Sequence, residues 1–338
     1  MLKEGFVRHD NYHDWVFFCL MPVALIAVPR PQRPLLGRSH LSISAFTVGT
    51  LCLAMLVTCK AGDYFPPSHI KGDAQSLVSD IKTLLSPSKL NRLIEQARPA
   101  LRPSYDLPSS FLRQLRGQTV AIEPWENTVA WAFPGINWRP EPVLQQYSAY
   151  ESSLDELDAS FLLSADAPTR ILVQPMQLYE SDFSDPFLGA PAATVTRFCR
   201  YRQVGASANW QLLDRVRDRC GGLVPITMLK VAYGETVVVP AAAQGDAVVA
   251  TFAGVGSSLR YRLENILLKA PEIQLQTPSG TYRFIAGTAP DLHMLRLPST
   301  LGYSTEYCPP NISSFSLIDR NSSAGHYSVS FYELPMRP

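Results

Sequence analysis

The sequence has no excess of charge of either sign. Its 338 residues include 30 lysines and arginines and 29 aspartates and glutamates, which gives a formal net charge of +1, and charged residues make up only 17% of the chain. Proteins that bind nucleic acid usually carry a basic excess that neutralises phosphates. The composition therefore predicts no nucleic-acid partner.

Familiar motifs for catalysis, cofactors and metals are also missing. The chain contains no Gly-rich phosphate loop, no G-x-S-x-G turn, no H-E-x-x-H motif and no C-x-x-C pair. His9 and His13 could share a helix face, but no third metal ligand accompanies them. Asp182 and Asp185 are more typical of an Asp turn than of a calcium loop. We therefore predict no cofactor and no metal.

Long apolar runs, by contrast, are present near the amino terminus. Leu41 to Cys59 is 19 residues without a charge, and as a helix it would be about 28 Å long, close to the thickness of a bilayer core. Trp15 to Pro29 is 15 residues, about 22 Å as a helix, and Pro22 would kink it as membrane helices tolerate. A core helix of a soluble protein remains an alternative for the longer run.

The loop between the two runs indicates how such a hairpin would be oriented. It carries Arg30, Arg33 and Arg38 and no acidic residue, and short basic loops favour the cytoplasmic side. We therefore predict a membrane hairpin over residues 1–60, with spans at about 15–29 and 41–59 and the main domain outside a bacterial cytoplasmic membrane. A lipoprotein-like box before Lys60 is the alternative, although Thr58 is large for its cleavage position.

The rest of the chain divides by its pattern into three parts. Residues 61–117 predict a helical lead-in of three short amphipathic helices. Residues 118–220 alternate strand and helix, with "SSLDELDASFLLSA" as an amphipathic helix, and predict an α/β unit with a small parallel or mixed sheet. Residues 221–338 predict about eight short strands in an antiparallel β-sandwich, which could be jelly-roll-like. Two of the predicted strands are "LRYRLENILL" and "HYSVSFYEL", and the second places Tyr327, Val329 and Phe331 on one face. The predicted fold class is therefore α+β.

Three of the six cysteines lie outside the apolar runs. A bridge between Cys199 and Cys220 would close a loop of about 20 residues and could contribute roughly 3 kcal/mol. An oxidising compartment would favour this bridge. Two buried free thiols are the alternative.

The densest polar and aromatic segment is "WRPEPVLQQYSAYESSLDELD". Flat aromatic rings can stack on the C–H faces of sugars, while amides, carboxylates and guanidinium groups bind the hydroxyls. A loop tied down by its tyrosines is the structural alternative. The predicted ligand-binding residues are Trp138, Arg139, Glu141, Gln145, Tyr147 and Tyr150.

A catalytic hypothesis comes from "IEPWENTVAWAF", which holds Glu123 and Glu126. Two carboxylates can hydrolyse a glycosidic bond when their separation in space is suitable. The sequence does not supply that distance, so the segment offers only a possible glycosidase pair.

Three segments together resemble a known group of proteins: "KEGFVRHDNYHDWVFF", "PVLQQYSAYESSLDELDASFLL" and "FCRYRQVGASANWQLLDRVRDRC". They resemble the carboxyl-terminal part of large bacterial polytopic membrane proteins of glycosyltransferase-like or envelope-polysaccharide type. Gln145, Tyr147 and Tyr150 match the "Q-x-Y-x-x-Y" run of that group. The resemblance implies an outward-facing tail. The chain departs from the group because at most two spans are predicted.

Three functions follow as hypotheses. The first is an integral envelope protein that contacts the lipid bilayer and whose outer region binds envelope glycan or another membrane protein without catalysis. The second is the carboxyl-terminal part of a membrane glycosyltransferase-like enzyme whose catalytic spans lie elsewhere. The third is a glycosidase that uses Glu123 and Glu126.

Overall fold

The computed structural model describes most of the chain after residue 77. The described residues are Gly49, Ser76, 78–124, 127–174, 190–243, 245–259, 261–263, 272–298, 311–319 and 325–337. The predicted membrane spans at 15–29 and 41–59 lie outside these residues, apart from Gly49. Within the described ranges, no helix combines the length and the hydropathy needed to cross a membrane.

The described residues fall into two compact units. The smaller unit contains the described residues up to Leu93 together with Leu259 and 261–263, and the larger unit contains the remainder from Ile94 onward. Residues 78–84 of the smaller unit are helical, as their amphipathic pattern predicts. The candidate site lies in the larger unit.

Five helices have defined bounds. They are α1 (Pro87–Tyr105), α2 (Ser109–Leu115), α3 (Thr128–Ala132), α4 (Ser152–Leu163) and α5 (Pro191–Arg200). Gly117 follows α2 with a φ of +74°, a left-handed conformation that glycine adopts without a Cβ penalty and that commonly ends helices. The helical lead-in predicted for 61–117 therefore contains helices where it is described.

The first sheet is mixed and has five strands. Its order is β2-β1-β3-β5-β4, with β2, β1 and β3 parallel and β5 and β4 antiparallel to their neighbours. The strands are Thr119–Glu123 (β1), Asn137–Trp138 (β2), Arg170–Val173 (β3), Tyr201–Ala206 (β4) and Gln211–Arg215 (β5). All five lie within the predicted α/β unit, which we call the α/β region.

Helices cover both faces of this sheet. On one face, Phe111 and Leu115 of α2 and Val129 of α3 pack with Val120 and Ile122 of β1. On the other face, a second core cluster joins α4 and α5 to the sheet through Leu162, Ala193, Ala121, Ile171 and Tyr201. Strand β1 therefore alternates between two buried layers, which explains why its sequence is apolar on both sides.

The described residues of the carboxyl-terminal part form eight strands in two antiparallel sheets, which we call the sandwich. The sheet orders are β6-β13-β8-β11 and β7-β12-β9-β10. Successive strands alternate between the two sheets except at the β9–β10 hairpin. The strands are Val224–Ala232 (β6), Val237–Val238 (β7), Ala247–Ala253 (β8), Ile273–Thr277 (β9), Gly280–Phe284 (β10), His293–Arg296 (β11), Ser314–Asp319 (β12) and His326–Leu334 (β13).

An aromatic core lies between the two sheets. The ring of Phe252 in β8 lies 4.9 Å from that of Phe284 in β10 and 5.6 Å from that of Phe315 in β12. Tyr327 and Phe331 of β13 are also buried in this core, whereas the alternate residues of β13 are partly exposed. The alternation predicted for "HYSVSFYEL" is therefore present, with its aromatic face inward.

Helix α5 joins the sandwich to the α/β region. Val195, Phe198 and Cys199 of α5 pack against Val249 of β8 and Met294 of β11, while Ala193 of the same helix faces the first sheet. At the end of α5, Cys199 and Cys220 form a disulfide with their Cα atoms 5.2 Å apart. The pair that the sequence nominated therefore fastens α5 to the segment that enters the sandwich.

The prediction of an α+β chain with antiparallel sheets is confirmed. One prediction is wrong: the pattern of "LRYRLENILL" predicts a strand, but Leu259 and residues 261–263 are helical. Its apolar residues fit both the 3.6-residue period of a helix and the two-residue period of a strand, so the local pattern does not decide between them. The domain bounds at 60, 117 and 220 stay predictions.

Candidate functional site

The candidate site lies where the three parallel strands end. Glu123 is the last residue of β1. Just beyond β2, the backbone N–H of Arg139 donates to the carbonyl of Val120 (2.8 Å), and just beyond β3 that of Gln174 donates to the carbonyl of Glu123 (3.0 Å). These bonds hold the segments that follow the strands at one edge, the edge at which open α/β sheets usually bind ligands.

Helix α4 places two aspartates over the face of the sheet that α4 and α5 cover. Asp155 and Asp158 are completely buried, whereas Leu154, Leu157 and Leu163 of the same helix are 39–50% exposed. Leucine is ordinarily buried and aspartate exposed, because burying a carboxyl group without full hydrogen bonding is costly. Helix α4 therefore turns its aspartates inward and several of its leucines outward, which is the opposite of the orientation that hydrophobicity alone would favour.

Three acids and one arginine meet there, and we call them the acidic cluster: Glu123, Glu141, Asp158 and Arg197. Glu123 Oε2 forms an ion pair with Nη1 of Arg197 on α5, and both side chains are about 95% buried. The carboxyl group of Glu141 lies within hydrogen-bonding reach of Glu123. Asp158 Oδ1 accepts the backbone N–H of Val143 (2.9 Å), which fastens the Glu141 segment to α4.

Burial changes the proton affinity of these acids. Burial, reinforced by the neighbouring Glu123, raises the pKa of Glu141 well above its usual value. Burial also raises the pKa of Asp158 to about 7, although the Val143 hydrogen bond opposes the shift. Burial and the neighbouring carboxyl groups therefore both favour the protonated form of Glu141.

Several oxygens of the acidic cluster have no hydrogen-bond partner. Among the described residues these are Oε1 of Glu123, Oε1 of Glu141 and Oδ2 of Asp158, and each is buried. Buried polar atoms in native proteins are nearly always paired with protein, water or ligand. Three unpaired oxygens in one cluster therefore indicate a place for a hydrogen-bonding group from outside the chain.

A second carboxyl pair lies at the beginning of α4. Asp155 accepts the backbone N–H groups of Ala192 (2.7 Å) and Ala193 (2.9 Å) at the start of α5, and its side chain meets Asp291 of the sandwich. Burial raises the pKa of Asp155 to about 7 and also raises that of Asp291. Because Asp155 caps α5, this pair has an evident structural role.

The structure separates the residues that the sequence nominated for ligand binding. Arg139 forms a surface ion pair with Asp166 (2.9 Å), and the ring of Tyr150 lies under the guanidinium group of Arg283 of β10, 5.0 Å from its Cζ. Of the nominated residues, the contacts place only Glu141 in the acidic cluster. Trp138 and Gln145 are exposed, and the side chain of Tyr147 lies outside the described part.

Asp158 and Arg197 are not among the residues that the sequence nominated, and Glu126, the predicted partner of Glu123, lies outside the described residues. A signal for Asp158 did exist. Asp155, Asp158, Ala159 and Leu162 fall at i, i+3, i+4 and i+7, the spacing of a buried helix stripe. Gln146 was passed over in favour of Gln145, yet Gln146 is the buried one and its Nε2 has no partner among the described residues.

Metal binding finds little support in the described ranges. The one group there with metal-ligand spacing is Cys199, Asp218 and Cys220, and its two cysteines are joined as a disulfide. The oxygens of the three acids in the acidic cluster do not lie close enough together to form such a group. One of them, Oε2 of Glu123, already forms the ion pair with Arg197.

Comparison of the chain with protein-family models, with curated proteins and with solved structures gives no match.

Proposed function

We propose that the chain is an integral protein of the bacterial cytoplasmic membrane whose extracytoplasmic region binds envelope glycan and has no catalytic activity of its own. The membrane anchor rests on the two apolar runs and the basic loop between them. The binding function rests on the acidic cluster. The segment resemblance to envelope-polysaccharide proteins favours the same ligand class.

The observation that carries the proposal is the set of unpaired oxygens on Glu123, Glu141 and Asp158. Sugar hydroxyls both donate and accept hydrogen bonds, so they can satisfy ionised and protonated carboxyl groups together. Small-molecule sites commonly use a few such polar groups, placed at the carboxyl ends of strands. The exposed ring of Trp138 ends β2 at the same edge and offers a surface for stacking.

Binding is favoured over glycoside hydrolysis by the spacing of the acids. Glu123 and Glu141 lie within hydrogen-bonding reach, whereas glycosidases hold their two carboxyl groups about 5 Å apart or more so that the sugar or a water fits between them. This pair is therefore suited to sharing a proton and binding hydroxyls rather than to splitting the bond between two sugars.

We further propose that the sandwich is a jelly roll. The supporting observation is that its strands, apart from the β9–β10 hairpin, alternate between two four-stranded sheets, as in the jelly rolls of many lectin domains. The sandwich would hold α5 in place, and with it Arg197 of the acidic cluster.

The test is glycan binding by the full-length chain. The chain should need detergent to leave the membrane fraction, and the purified protein should bind at least one envelope glycan on an array. Replacement Glu141→Gln keeps the shape of the side chain but removes its acid, and we expect it to weaken binding at least about tenfold. Glu156→Gln is the matched control, because Glu156 is exposed on α4.

Two results would overturn the proposal. The first is a full-length chain that binds no glycan on the array. The second is equal binding by wild type and Glu141→Gln, which would place the site elsewhere.

A further inference from the structure

The described residues of the smaller unit include no buried side chain. They are Gly49, Ser76, 78–93, Leu259 and 261–263, and each of them is exposed or partly exposed. Seven large apolar side chains among them are 46–79% exposed. Single exposed leucines are ordinary in proteins, whereas a concentration of them marks a surface that meets a partner.

Four of these side chains lie on one face of the helix at 78–84 and of the turn that ends it. We call them the apolar stripe: Val78, Ile81, Leu84 and Leu85. Their positions i, i+3, i+6 and i+7 are the spacing of one helix face. The backbone N–H of Leu85 donates to the carbonyl of Ile81 (2.9 Å), so Leu85 belongs to the last helical turn. Since short helices gain most of their stability by packing an apolar face, the apolar stripe needs an apolar partner.

The second stretch of the smaller unit has the same character. Leu259 and residues 261–263 are helical, and a spacing of four residues places Leu259 and Leu263 on one helix face. The two leucines are 74% and 49% exposed. Both described stretches of the unit therefore present an apolar face to their surroundings.

The charges beside these apolar faces are mostly positive. The described residues of the smaller unit contain one acid, Asp80, and four bases: Lys82, Lys89, Arg92 and Arg262. Lys82 follows Val78 by four residues, so its aliphatic stem runs along the edge of the apolar stripe. Leucines on one face with lysines and arginines beside them are typical of helices that lie in the interface of a membrane.

We propose that the apolar stripe lies on the surface of the membrane, where it contacts phospholipid acyl chains and its neighbouring bases contact anionic headgroups. This inference rests on the membrane anchor in the proposed function and not on glycan binding. Position along the chain supports it, because only residues 60–77 separate the apolar stripe from the longer predicted span. Such a tether makes lipid contact an intramolecular step, so a helix too short to bind a membrane by itself can stay bound.

A protein partner fits these residues less well than lipid does. The cores of protein–protein interfaces are enriched in aromatic residues and methionine and depleted in lysine. Residues 78–93 include no aromatic residue and no methionine, but they include Lys82 and Lys89. At a membrane surface, such lysines cover apolar area with their stems and keep their ammonium groups among the headgroups.

The experiment places an environment-sensitive fluorophore on the apolar stripe of the full-length chain. A nitrobenzoxadiazole label replaces Leu85 through an unnatural amino acid, because the chain already contains six cysteines. The labelled chain is reconstituted in nanodiscs of phosphatidylcholine and phosphatidylglycerol. Quenching by a lipid that carries a nitroxide near its headgroup reports contact with lipid, and quenching by iodide reports contact with water.

The matched control carries the same label in place of Ser79. This residue is exposed and lies about 200° from Ile81 around the helix axis, on the opposite side of the same helix. We expect the nitroxide lipid to quench the label at position 85 at least about twofold more strongly than the label at position 79. Iodide should give the reverse order.

Two substitutions test the apolar stripe itself. Ile81→Asp places a charge in the stripe and should return the label at position 85 to water, whereas Ser79→Asp on the opposite side should leave it in lipid. Both sites are exposed, so neither substitution should disturb the fold. Nanodiscs of phosphatidylcholine alone should reduce the quenching by nitroxide lipid, because the bases then lose their anionic partners.

The outcomes separate this inference from the proposed function. If the chain enters nanodiscs but iodide quenches positions 79 and 85 equally, the lipid contact is wrong and the membrane anchor stands. A label at position 85 that is shielded from both quenchers also overturns the inference, because protein then covers the apolar stripe. Unchanged quenching without phosphatidylglycerol overturns the role of the bases. A chain that stays in the aqueous fraction without detergent overturns the anchor and this inference together.

Discussion

The α/β region and the sandwich bury different kinds of side chain. The α/β region buries six acids and arginines: Glu123, Glu141, Asp155, Asp158, Arg197 and Arg219. The sandwich fills its interior with aromatic rings around Phe252. Aromatic packing stabilises a fold, whereas buried acids generally lower stability unless they are fully paired. We therefore expect the sandwich to contribute more stability per buried residue than the acidic cluster, and the candidate site lies in the α/β region.

The largest expected effect concerns the sandwich core. Phe252→Ala removes a ring that is 1% exposed and that lies 4.9–6.3 Å from four other rings. We expect the free energy of unfolding to fall by about 3–5 kcal/mol, because the variant buries less apolar area and leaves a cavity in the core. Urea unfolding of the full-length chain measures this loss.

Val238→Ala is the control for the sandwich. Val238 lies in β7 but is 71% exposed, so the same kind of truncation should change the free energy of unfolding by less than about 0.5 kcal/mol. A loss of less than about 1 kcal/mol for Phe252→Ala would contradict the idea that the sandwich is the stabilising part.

The next effect concerns the ion pair in the α/β region. Arg197→Met keeps much of the apolar stem but leaves the carboxylate of Glu123 buried without its partner. Breaking a buried pair from one side is strongly destabilising, so we expect a loss of about 3 kcal/mol at pH 7. Urea unfolding again gives the number.

The double variant Glu123→Gln with Arg197→Met separates charge from packing. A neutral amide in place of the carboxylate should recover most of the loss, to within about 1 kcal/mol of wild type. If the double variant is as unstable as Arg197→Met alone, Arg197 stabilises the fold through its packing and not through its charge. The α/β region would then be stabilised by packing in the same way as the sandwich core.

The two regions also differ in how well the sequence predicted them. The two faces of strand β13 were predicted correctly, because Tyr327, Val329 and Phe331 alternate with Ser328 and Ser330 in the two-residue period of a strand. In α4 the helix was predicted but its orientation was not. Hydrophobicity alone would assign Leu154 and Leu157 to the core. In the structure these leucines are exposed, and tertiary contacts turn Asp155 and Asp158 inward.

The acidic cluster itself could not be assembled from the sequence. Glu141 was nominated because its segment is rich in polar and aromatic residues. Its partners, however, come from β1, α4 and α5, and the ion pair from Glu123 to Arg197 spans 74 residues. Residue patterns give local structure and spacing along the chain, but no pattern supplies the distance between side chains on different elements.

The smallest expected effect is the pH dependence of the free energy of unfolding that the buried carboxyl group of Asp158 causes. Burial raises the pKa of Asp158 from 3.8 to about 7, so between these values the folded chain holds a proton that the unfolded chain has lost. The stability that this proton contributes is complete below about pH 4 and is lost as the pH rises through 7. Asn cannot ionise, and its Oδ1 can still accept the Val143 N–H. We therefore expect Asp158→Asn to gain stability relative to wild type by about 2 kcal/mol from pH 5 to pH 8, measured by urea unfolding across that range.

Subtracting the wild-type curve removes the titration of Asp155 and Asp291, which both proteins share. Asp166→Asn is the matched control: the side chain of Asp166 is 78% exposed in its ion pair with Arg139, so its stability difference from wild type should stay flat over the same range. A flat difference for Asp158→Asn as well would mean that the aspartate is already ionised in the folded chain. The acidic cluster would then carry more negative charge at neutral pH than the raised pKa of Asp158 implies.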